Sequence, residues 1–250
     1  MCTLAIAYNR HPEYPFIFIG NRDEFYVRQT ENAEMRSGVL SGIDLEKGGT
    51  WTGISQSGRM AFITNYRDFT LHVEAPESRG LLTKNFLEGT MPAEQYLETL
   101  SKKKAHYNPY NLIVGDMNGL YFYSNIEDHI IKIELGIHGL SNALLNTPWP
   151  KVNRIKEALS EAISKDRLEE ETLFAILENK LQADEKDLPR TGLDLSLEKS
   201  LSAIFIELEA YGTRHETVIL IDRRGKVQFF EKFRGDDGEW ALRKFDFKIA

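Results

Sequence analysis

Three short runs of the chain are apolar on both faces of an extended strand. They are residues 2–8 (CTLAIAY), 16–19 (FIFI) and 60–63 (MAFI). A strand with one face in water alternates apolar and polar residues, whereas a strand that is covered on both faces reads as a nearly continuous apolar run. We therefore expect sheets whose strands have protein on both sides.

Two further segments predict β-hairpins. Residues 111–124 (NLIVGDMNGLYFYS) place a turn sequence between two apolar runs, and residues 217–233 (TVILIDRRGKVQFFEKF) repeat the design. Strands that are joined by a tight turn pair antiparallel. The sheets are therefore expected to be antiparallel.

Four segments between these strands have apolar residues at helical spacing. The first is predicted to be capped by Ser78 and to end at Gly89, and the second to be opened by Thr90 and Pro92. The third is predicted to begin at Pro150, and Thr172 to cap the fourth. Each helix would present one apolar face, so each is expected to cover a sheet.

The order of elements is strands, two helices, strands, two helices, strands. Pairs of helices between antiparallel strands indicate an α+β fold rather than a parallel βαβ sheet. A four-layer αββα sandwich, with two antiparallel sheets between helix layers, fits this order best. The longest irregular stretch, residues 182–200, is too short to separate domains, so residues 1–250 are predicted to form a single domain.

Charge and composition exclude several classes of protein. The net charge of −7 argues against a general nucleic-acid binder and against attraction to an anionic membrane. No apolar run approaches the roughly 20 residues that span a bilayer, and no basic leader precedes the first strand. A single cysteine forms no intramolecular disulfide and favours a reducing compartment. We expect a cytoplasmic protein that acts on a small molecule.

No metal site is predicted, because the histidines lack the spacing of metal ligands. They are His11, His72, His106, His129, His138 and His215.

Cys2 is the residue with the clearest potential for catalysis. It directly follows the initiator methionine and is small enough for that methionine to be removed. Removal would leave a thiol and a free α-amine on one residue, so that a base stands beside a nucleophile. The alternative is that Cys2 is only a small buried apolar residue of an edge strand.

A polar cluster follows the FIFI run without a gap, at residues 20–24 (GNRDE). Arg22 beside a thiol would lower its pKa, and Asp23 would hold an amine in position. The alternative is a surface turn rich in ion pairs.

Three more residues are candidates for the same chemistry. Asn65 and Asn142 carry amides that can stabilise an oxyanion, although asparagine also simply makes turns. Arg214 can clamp a carboxylate or phosphate, or it is an ordinary surface arginine.

Nine motifs together resemble one known family along nearly the whole chain. In order they are MCTL (1–4), NRDEF (21–25), GGTW (48–51), TNYR (64–67), SRG (78–80), GLSNA (139–143), TPWPK (147–151), LPRTG (188–192) and YGTR (211–214). This set resembles the NRDE family, also called the transport and Golgi organisation protein 2 family.

That family is regarded as related to N-terminal nucleophile hydrolases with a cysteine nucleophile, such as penicillin V acylase and bile salt hydrolase. The resemblance implies their four-layer αββα fold. It also implies Cys2 as nucleophile, Asp23 as the acid that contacts the new amine, Asn65 and Asn142 near the oxyanion, and Arg214 near a late arginine.

Two positions depart from the acylase pattern. The acylases have a catalytic arginine three residues before the aspartate, and here that position is Gly20. Arg22 would have to take the role of that arginine from a neighbouring position. In a regular strand, its side chain would lie on the face opposite the site. His215 and Glu216 follow Arg214 where small polar residues are expected.

Two functions follow from these observations. The first is a cysteine-dependent hydrolase of amides or esters that needs no cofactor. The second is a non-catalytic protein that binds or carries haem or an acyl-lipid metabolite, because eukaryotic members of the family are implicated in secretory organisation, lipid metabolism and haem trafficking. The chain has no CxxCH motif for covalent haem attachment, so haem would be a ligand held mainly by apolar walls.

Overall fold

The computed structural model describes residues 2–71 and 77–250. The features predicted at Met1 and at His72 lie outside the described residues. The strands run, in chain order, β1 (Cys2–Tyr8), β2 (Phe16–Phe25), β3 (Thr30–Arg36), β4 (Val39–Asp44), β5 (Thr52–Ser55), β6 (Met60–Asn65), β7 (Tyr110–Asp116), β8 (Gly119–Ser124), β9 (His129–Lys132), β10 (Gly136–Leu140), β11 (Tyr211–Ile221), β12 (Lys226–Arg234) and β13 (Trp240–Lys248). The α-helices are α1 (Gly80–Glu88), α2 (Ala93–Ser101), α3 (Pro150–Ser164), α4 (Glu170–Leu177) and α5 (Leu195–Ser200).

The chain divides into two compact units. The first combines the chain up to Val27 with Leu135–Phe247, and the second combines Arg28–Glu134 with Lys248–Ala250. The chain therefore leaves the first unit after β2 and returns to it at β10. The prediction of a single domain over residues 1–250 stays a prediction.

The first unit contains a six-stranded sheet in the order β10-β1-β2-β11-β12-β13. Its pairs β10–β1, β1–β2, β2–β11 and β11–β12 are antiparallel. Helix α3 packs on β1 and β10, and α4 packs on β2 and β11. Ala5, Ile19, Leu159, Leu177 and Val218 are among the buried residues of this helix–sheet core. Burial of each large apolar side chain contributes about 1.5–3 kcal/mol before the entropic cost of ordering it.

The second unit contains a seven-stranded sheet in the order β3-β4-β5-β6-β7-β8-β9, antiparallel throughout. Helix α1 packs on β5 and β6, and α2 packs on β8 and β9. The predicted α+β class with two antiparallel sheets is confirmed, and so are both predicted hairpins, β7–β8 and β11–β12.

Two of the predicted N-caps are wrong, because the residue before α1 is Arg79 rather than Ser78 and the residue before α4 is Glu169 rather than Thr172. Helix α1 begins at Gly80 with no side-chain cap, so Ser78 precedes the helix without capping it. Helix α4 begins at Glu170, which places Thr172 inside the first turn. Acidic residues in that first turn favour the early start because they interact well with the helix dipole. The predicted start at Pro150 is confirmed.

Strand β2 is longer than the FIFI run suggested and continues through the GNRDE cluster to Phe25. Neighbours β1 and β11 pair with it on both sides, so its polar residues stay in the ladder instead of forming a surface turn. Asn21, Arg22 and Asp23 are all buried as a result. In the described part of the chain, no helix has the length and apolar character needed to cross a bilayer.

Candidate active site at Cys2

Cys2 begins strand β1, at one end of the central strands of the first unit. The strand register places it directly opposite Arg22 on β2, and places His215 on β11 opposite Arg22. Residues that face each other across antiparallel strands project to the same side of the sheet. Cys2, Arg22 and His215 therefore form one row on one face.

The expectation that Arg22 would lie on the opposite face from the site is wrong. Its pairing with Cys2 puts the guanidinium on the thiol's side of the sheet. A Cβ on Gly20 would stand 2.8 Å from the Phe18 ring and 3.0 Å from Leu4 Cβ, so a side chain there would require its neighbours to shift. Arg22 is the arginine that the β1–β2 register places opposite Cys2.

The thiol of Cys2 has a raised pKa. Burial is the largest cause and disfavours the thiolate, and the charge of Asp23 acts in the same direction. Arg22 and a hydrogen bond from the backbone N–H of Asp23 lower the pKa, but they do not overcome burial. Cys2 is therefore mainly a protonated thiol at neutral pH and needs a base before it can attack.

The Asp23 carboxyl is fixed by a short chain of hydrogen bonds. Thr213 Oγ1 donates to Asp23 Oδ1 at 2.7 Å, and the backbone N–H of Ile206 donates to Thr213 Oγ1 at 2.9 Å. The hydroxyl of Tyr211 donates to the Asp23 carbonyl oxygen at 3.1 Å. Both the side chain and the backbone of Asp23 are thus held in one geometry.

Burial raises the pKa of the Asp23 carboxyl, while Lys151, Thr213 and Arg22 favour its charged form. Lys151 was missed as a site residue by sequence reasoning. It lies in the first turn of α3 and is only 1% exposed. A cation is unfavourable at a helix N-terminus, so its position inside the TPWPK motif was the available signal that it serves another group.

A β-bulge on β11 places Arg214. Thr213 pairs with Asp23, and His215 pairs with Arg22, so Arg214 is the extra residue between two consecutive positions of β2. Its Nη1 donates to the Phe25 carbonyl oxygen at 3.3 Å.

His215 is buried in the same row as Cys2. Burial, together with the charges of Arg22 and Arg214, holds the pKa of His215 well below its ordinary value. The imidazole is therefore neutral between two guanidinium groups.

Asn142 reaches the site through its neighbour. It is fully buried and follows strand β10 by two residues. Ser141 Oγ lies 2.8 Å from the Cys2 carbonyl oxygen and 3.3 Å from Asn142 Oδ1. Cys2, Arg22, Asp23, Asn142 and Arg214 thus all belong to the first unit.

Asn65 belongs to the second unit. It is the last residue of β6 and pairs with Tyr110 on β7. Its role in the site stays a prediction.

Two solved structures of conjugated bile acid hydrolase from Clostridium perfringens resemble this chain in fold. A cysteine-to-alanine variant matches with a TM-score of 0.56 at 9% identity, covering 100% of this chain and 97% of the other. An arginine-to-leucine variant matches with a TM-score of 0.54 at 10% identity, covering 100% and 98%. The likeness shows the fold expected from the sequence resemblance, that of the N-terminal nucleophile hydrolases.

The sequence is also similar to proteins over their full length. The transport and Golgi organization protein 2 homologue of Bos taurus is 34% identical, with 100% of this chain and 99% of that protein aligned. The human homologue is 32% identical, again with 100% of this chain and 99% of that protein aligned. The Drosophila melanogaster protein is 29% identical, with 96% of this chain and 95% of that protein aligned. The family described as Transport and Golgi organisation 2 matches residues 1–236. The chain therefore belongs to the transport and Golgi organisation 2 family.

Proposed function

We propose that this protein is a cysteine-dependent hydrolase of amides or esters, with Cys2 as an N-terminal nucleophile. The observation that carries the proposal is the pairing of Cys2 with Arg22, beside Asp23, whose carboxyl is held by Thr213 and whose backbone carbonyl is held by Tyr211. Because burial raises the pKa of the thiol, the proposal requires a base next to it. Removal of Met1 would supply that base as the α-amine of Cys2.

The proposed reaction has two steps. The α-amine takes the thiol proton while Sγ attacks the substrate carbonyl carbon, and the resulting tetrahedral oxyanion collapses to a thioester. The same proton passes from the ammonium to the leaving amine or alcohol. Water then attacks the thioester, releasing the carboxylic acid and restoring the thiol. The two steps together consume one water for each bond hydrolysed and need no other co-reactant.

Each remaining site residue has a proposed role in that sequence. Asp23 orients the ammonium of Cys2, and Arg22 offsets the negative charge that develops on the sulfur. Asn142 donates to the oxyanion, and Asn65 is the second predicted donor; a well-placed donor of this kind stabilises a transition state by about 2.7–4 kcal/mol. Arg214 is assigned to a carboxylate or phosphate of the substrate.

Binding of haem or an acyl-lipid metabolite without turnover is the competing prediction. It predicts saturable binding that Cys2→Ala leaves unchanged. A haem titration that gives no saturable spectral change contradicts its haem form.

The first experiment measures the intact mass of protein purified from its own cells, before and after brief treatment with iodoacetamide. Because Cys2 is the sole cysteine, a single added alkyl group reports on this thiol alone. We expect the methionine to be missing and the alkylation rate to rise with pH as the thiol ionises. Retention of Met1 would remove the free amine and with it the proposed base.

Thr213→Val is expected to lower turnover of an amide or ester probe by about ten- to a hundredfold, since a hydrogen bond to a charged group contributes about 1.5–3 kcal/mol. The valine keeps the shape of the side chain but removes both the donor to Asp23 Oδ1 and the acceptor for the Ile206 N–H. Thr213→Ser, which keeps the hydroxyl, is the matched control and should retain most activity. Equal losses in both variants would show that the Asp23 hydrogen bond does not matter for turnover.

A further inference from the structure

Ser141 joins the nucleophile residue to the amide of Asn142. It is 1% exposed and follows the last residue of β10. Its hydroxyl oxygen lies 2.8 Å from the Cys2 carbonyl oxygen, 3.3 Å from Asn142 Oδ1 and 3.3 Å from Thr3 Oγ1. One buried hydroxyl thus contacts three groups around the first residues of β1.

The single hydroxyl proton of Ser141 determines the direction of these bonds. The Cys2 carbonyl oxygen and Asn142 Oδ1 are both acceptors, so Ser141 must donate toward them in a shared, three-centre bond. The hydroxyl of Thr3 is then the donor to Ser141 Oγ. All three contacts are satisfied by this one arrangement.

The Ser141 hydroxyl bonds the Cys2 carbonyl at a position where β1 is no longer paired with β10. The β1–β10 register begins at Leu4, opposite Leu140, so Cys2 lies two residues beyond the last registered pair on that edge. On this side, the Ser141 hydroxyl takes the place of a backbone partner for the Cys2 carbonyl. It thereby fixes the backbone that carries both the thiol and the α-amine.

The contact with Asn142 sets the orientation of its amide. An asparagine amide has an acceptor end and a donor end, and Ser141 contacts the oxygen. The NH₂ group is consequently turned away from Ser141. An oxyanion is stabilised by donor groups that are already held in position before the reaction, and the NH₂ group of Asn142 is such a donor.

We propose that Ser141 is a positioning residue of this site, which holds the Cys2 backbone and sets the donor end of Asn142 for the oxyanion. This inference rests on the proposed hydrolase function. Ser141 itself touches neither the reacting thiol nor the substrate in this proposal, and it acts through its two neighbours.

The test compares Ser141→Ala with Thr3→Val, using hydrolysis of p-nitrophenyl butyrate by protein that lacks Met1. Thr3→Val removes the hydroxyl that donates to Ser141 but leaves both bonds that Ser141 itself donates. We expect Ser141→Ala to lower kcat about tenfold with KM changed less than about twofold, because positioning in the transition state is lost and substrate binding is not. Thr3→Val should keep kcat within about twofold.

A double-mutant cycle gives a readout that loss of stability alone would not move. If Ser141 acts partly through Asn142, the kcat cost of Ser141→Ala must shrink in an Asn142→Ala background. If Ser141→Ala does not fold, Ser141→Cys fills the space of the hydroxyl with a much weaker donor and takes its place in the cycle.

The outcomes separate this inference from the proposed function. Wild-type protein without turnover of any amide, ester or thioester probe overturns both. Active wild-type protein whose Ser141→Ala variant keeps its kcat, or loses it equally in both backgrounds, overturns the positioning role alone.

Discussion

Replacement of Cys2 by alanine is expected to lower turnover of amide, ester and thioester probes by on the order of 10³-fold or more, because the whole covalent route depends on the sulfur. The fold should be retained. Cys2 is the first residue of β1, and alanine keeps the backbone pairing with Arg22. The measurement is kcat/KM on a panel of p-nitroanilide, p-nitrophenyl ester and acyl thioester probes, with circular dichroism to confirm folding.

A matched pair of wild-type preparations tests the amine separately from the thiol. Protein with an N-terminal extension keeps the same thiol but has an amide nitrogen at Cys2, and cleavage of the extension directly before Cys2 restores the amine. We expect activity to appear only after cleavage, since the raised pKa of Cys2 leaves the thiol mainly protonated without a neighbouring base. Full turnover by the Cys2→Ala variant, or equal turnover before and after cleavage, contradicts the mechanism.

The parts of the fold that the sequence predicted well depend on local patterns. The two hairpins follow from turn residues between apolar runs, and α3 starts at a proline that suits the first turn of a helix. Strands β10 and β13 carried weaker signals. Both lie at the edges of the six-stranded sheet, and β13 has mostly exposed residues, so no continuous apolar run marks it.

Candidate site residues could be named from the sequence, but their arrangement could not. The face on which Arg22 lies depends on its pairing with Cys2, and that pairing depends on strand register along the whole of β2. The bulge at Arg214 likewise shifts the register by one residue and has no local signature. Lys151 is close to Asp23 in space only, since 128 residues separate them in the chain.

The polar cluster of β2 also divides between the two faces of the sheet. Arg22 shares a face with Cys2, whereas Asn21 faces the helices and donates from Nδ2 to the carbonyl oxygens of Leu177 at 2.9 Å and Ile204 at 3.0 Å. Asn21 therefore stabilises the packing of α4 on the sheet. Directly opposite Asn21 on β11 lies Glu216, which brings a carboxyl group to the same face.

Glu216 is 0% exposed, and neither of its carboxyl oxygens has a hydrogen-bond partner among the described residues. Burial raises its pKa to about 8, with Glu178 acting in the same direction and Lys232 against it. Lys232 faces Glu216 from β12 and also bonds Glu178 at the end of α4. Since Lys232 bonds Glu178 rather than Glu216, the neutral acid is the stable form of Glu216 in the folded protein.

This raised pKa makes folding stability fall as pH rises. Below the ordinary glutamate value of 4.5, Glu216 is protonated in both the folded and the unfolded chain. Between 4.5 and about 8, the unfolded chain ionises while the folded protein keeps its proton, so the free energy of unfolding falls by up to about 1.4 kcal/mol per pH unit. The total loss, complete above pH 8, is about 3–5 kcal/mol.

In Glu216→Gln, the free energy of unfolding is therefore expected not to fall by the several kcal/mol that wild type loses between pH 5 and 8. The reason is that glutamine has no proton to lose over this range. The glutamine amide is itself buried and costs about 1–3 kcal/mol, so the informative quantity is the pH slope rather than the stability at one pH. Urea unfolding of wild type, Glu216→Gln and the exposed control Glu209→Gln at several pH values measures it. A Glu216→Gln slope that matches the other two would show that Glu216 ionises in the folded protein without penalty.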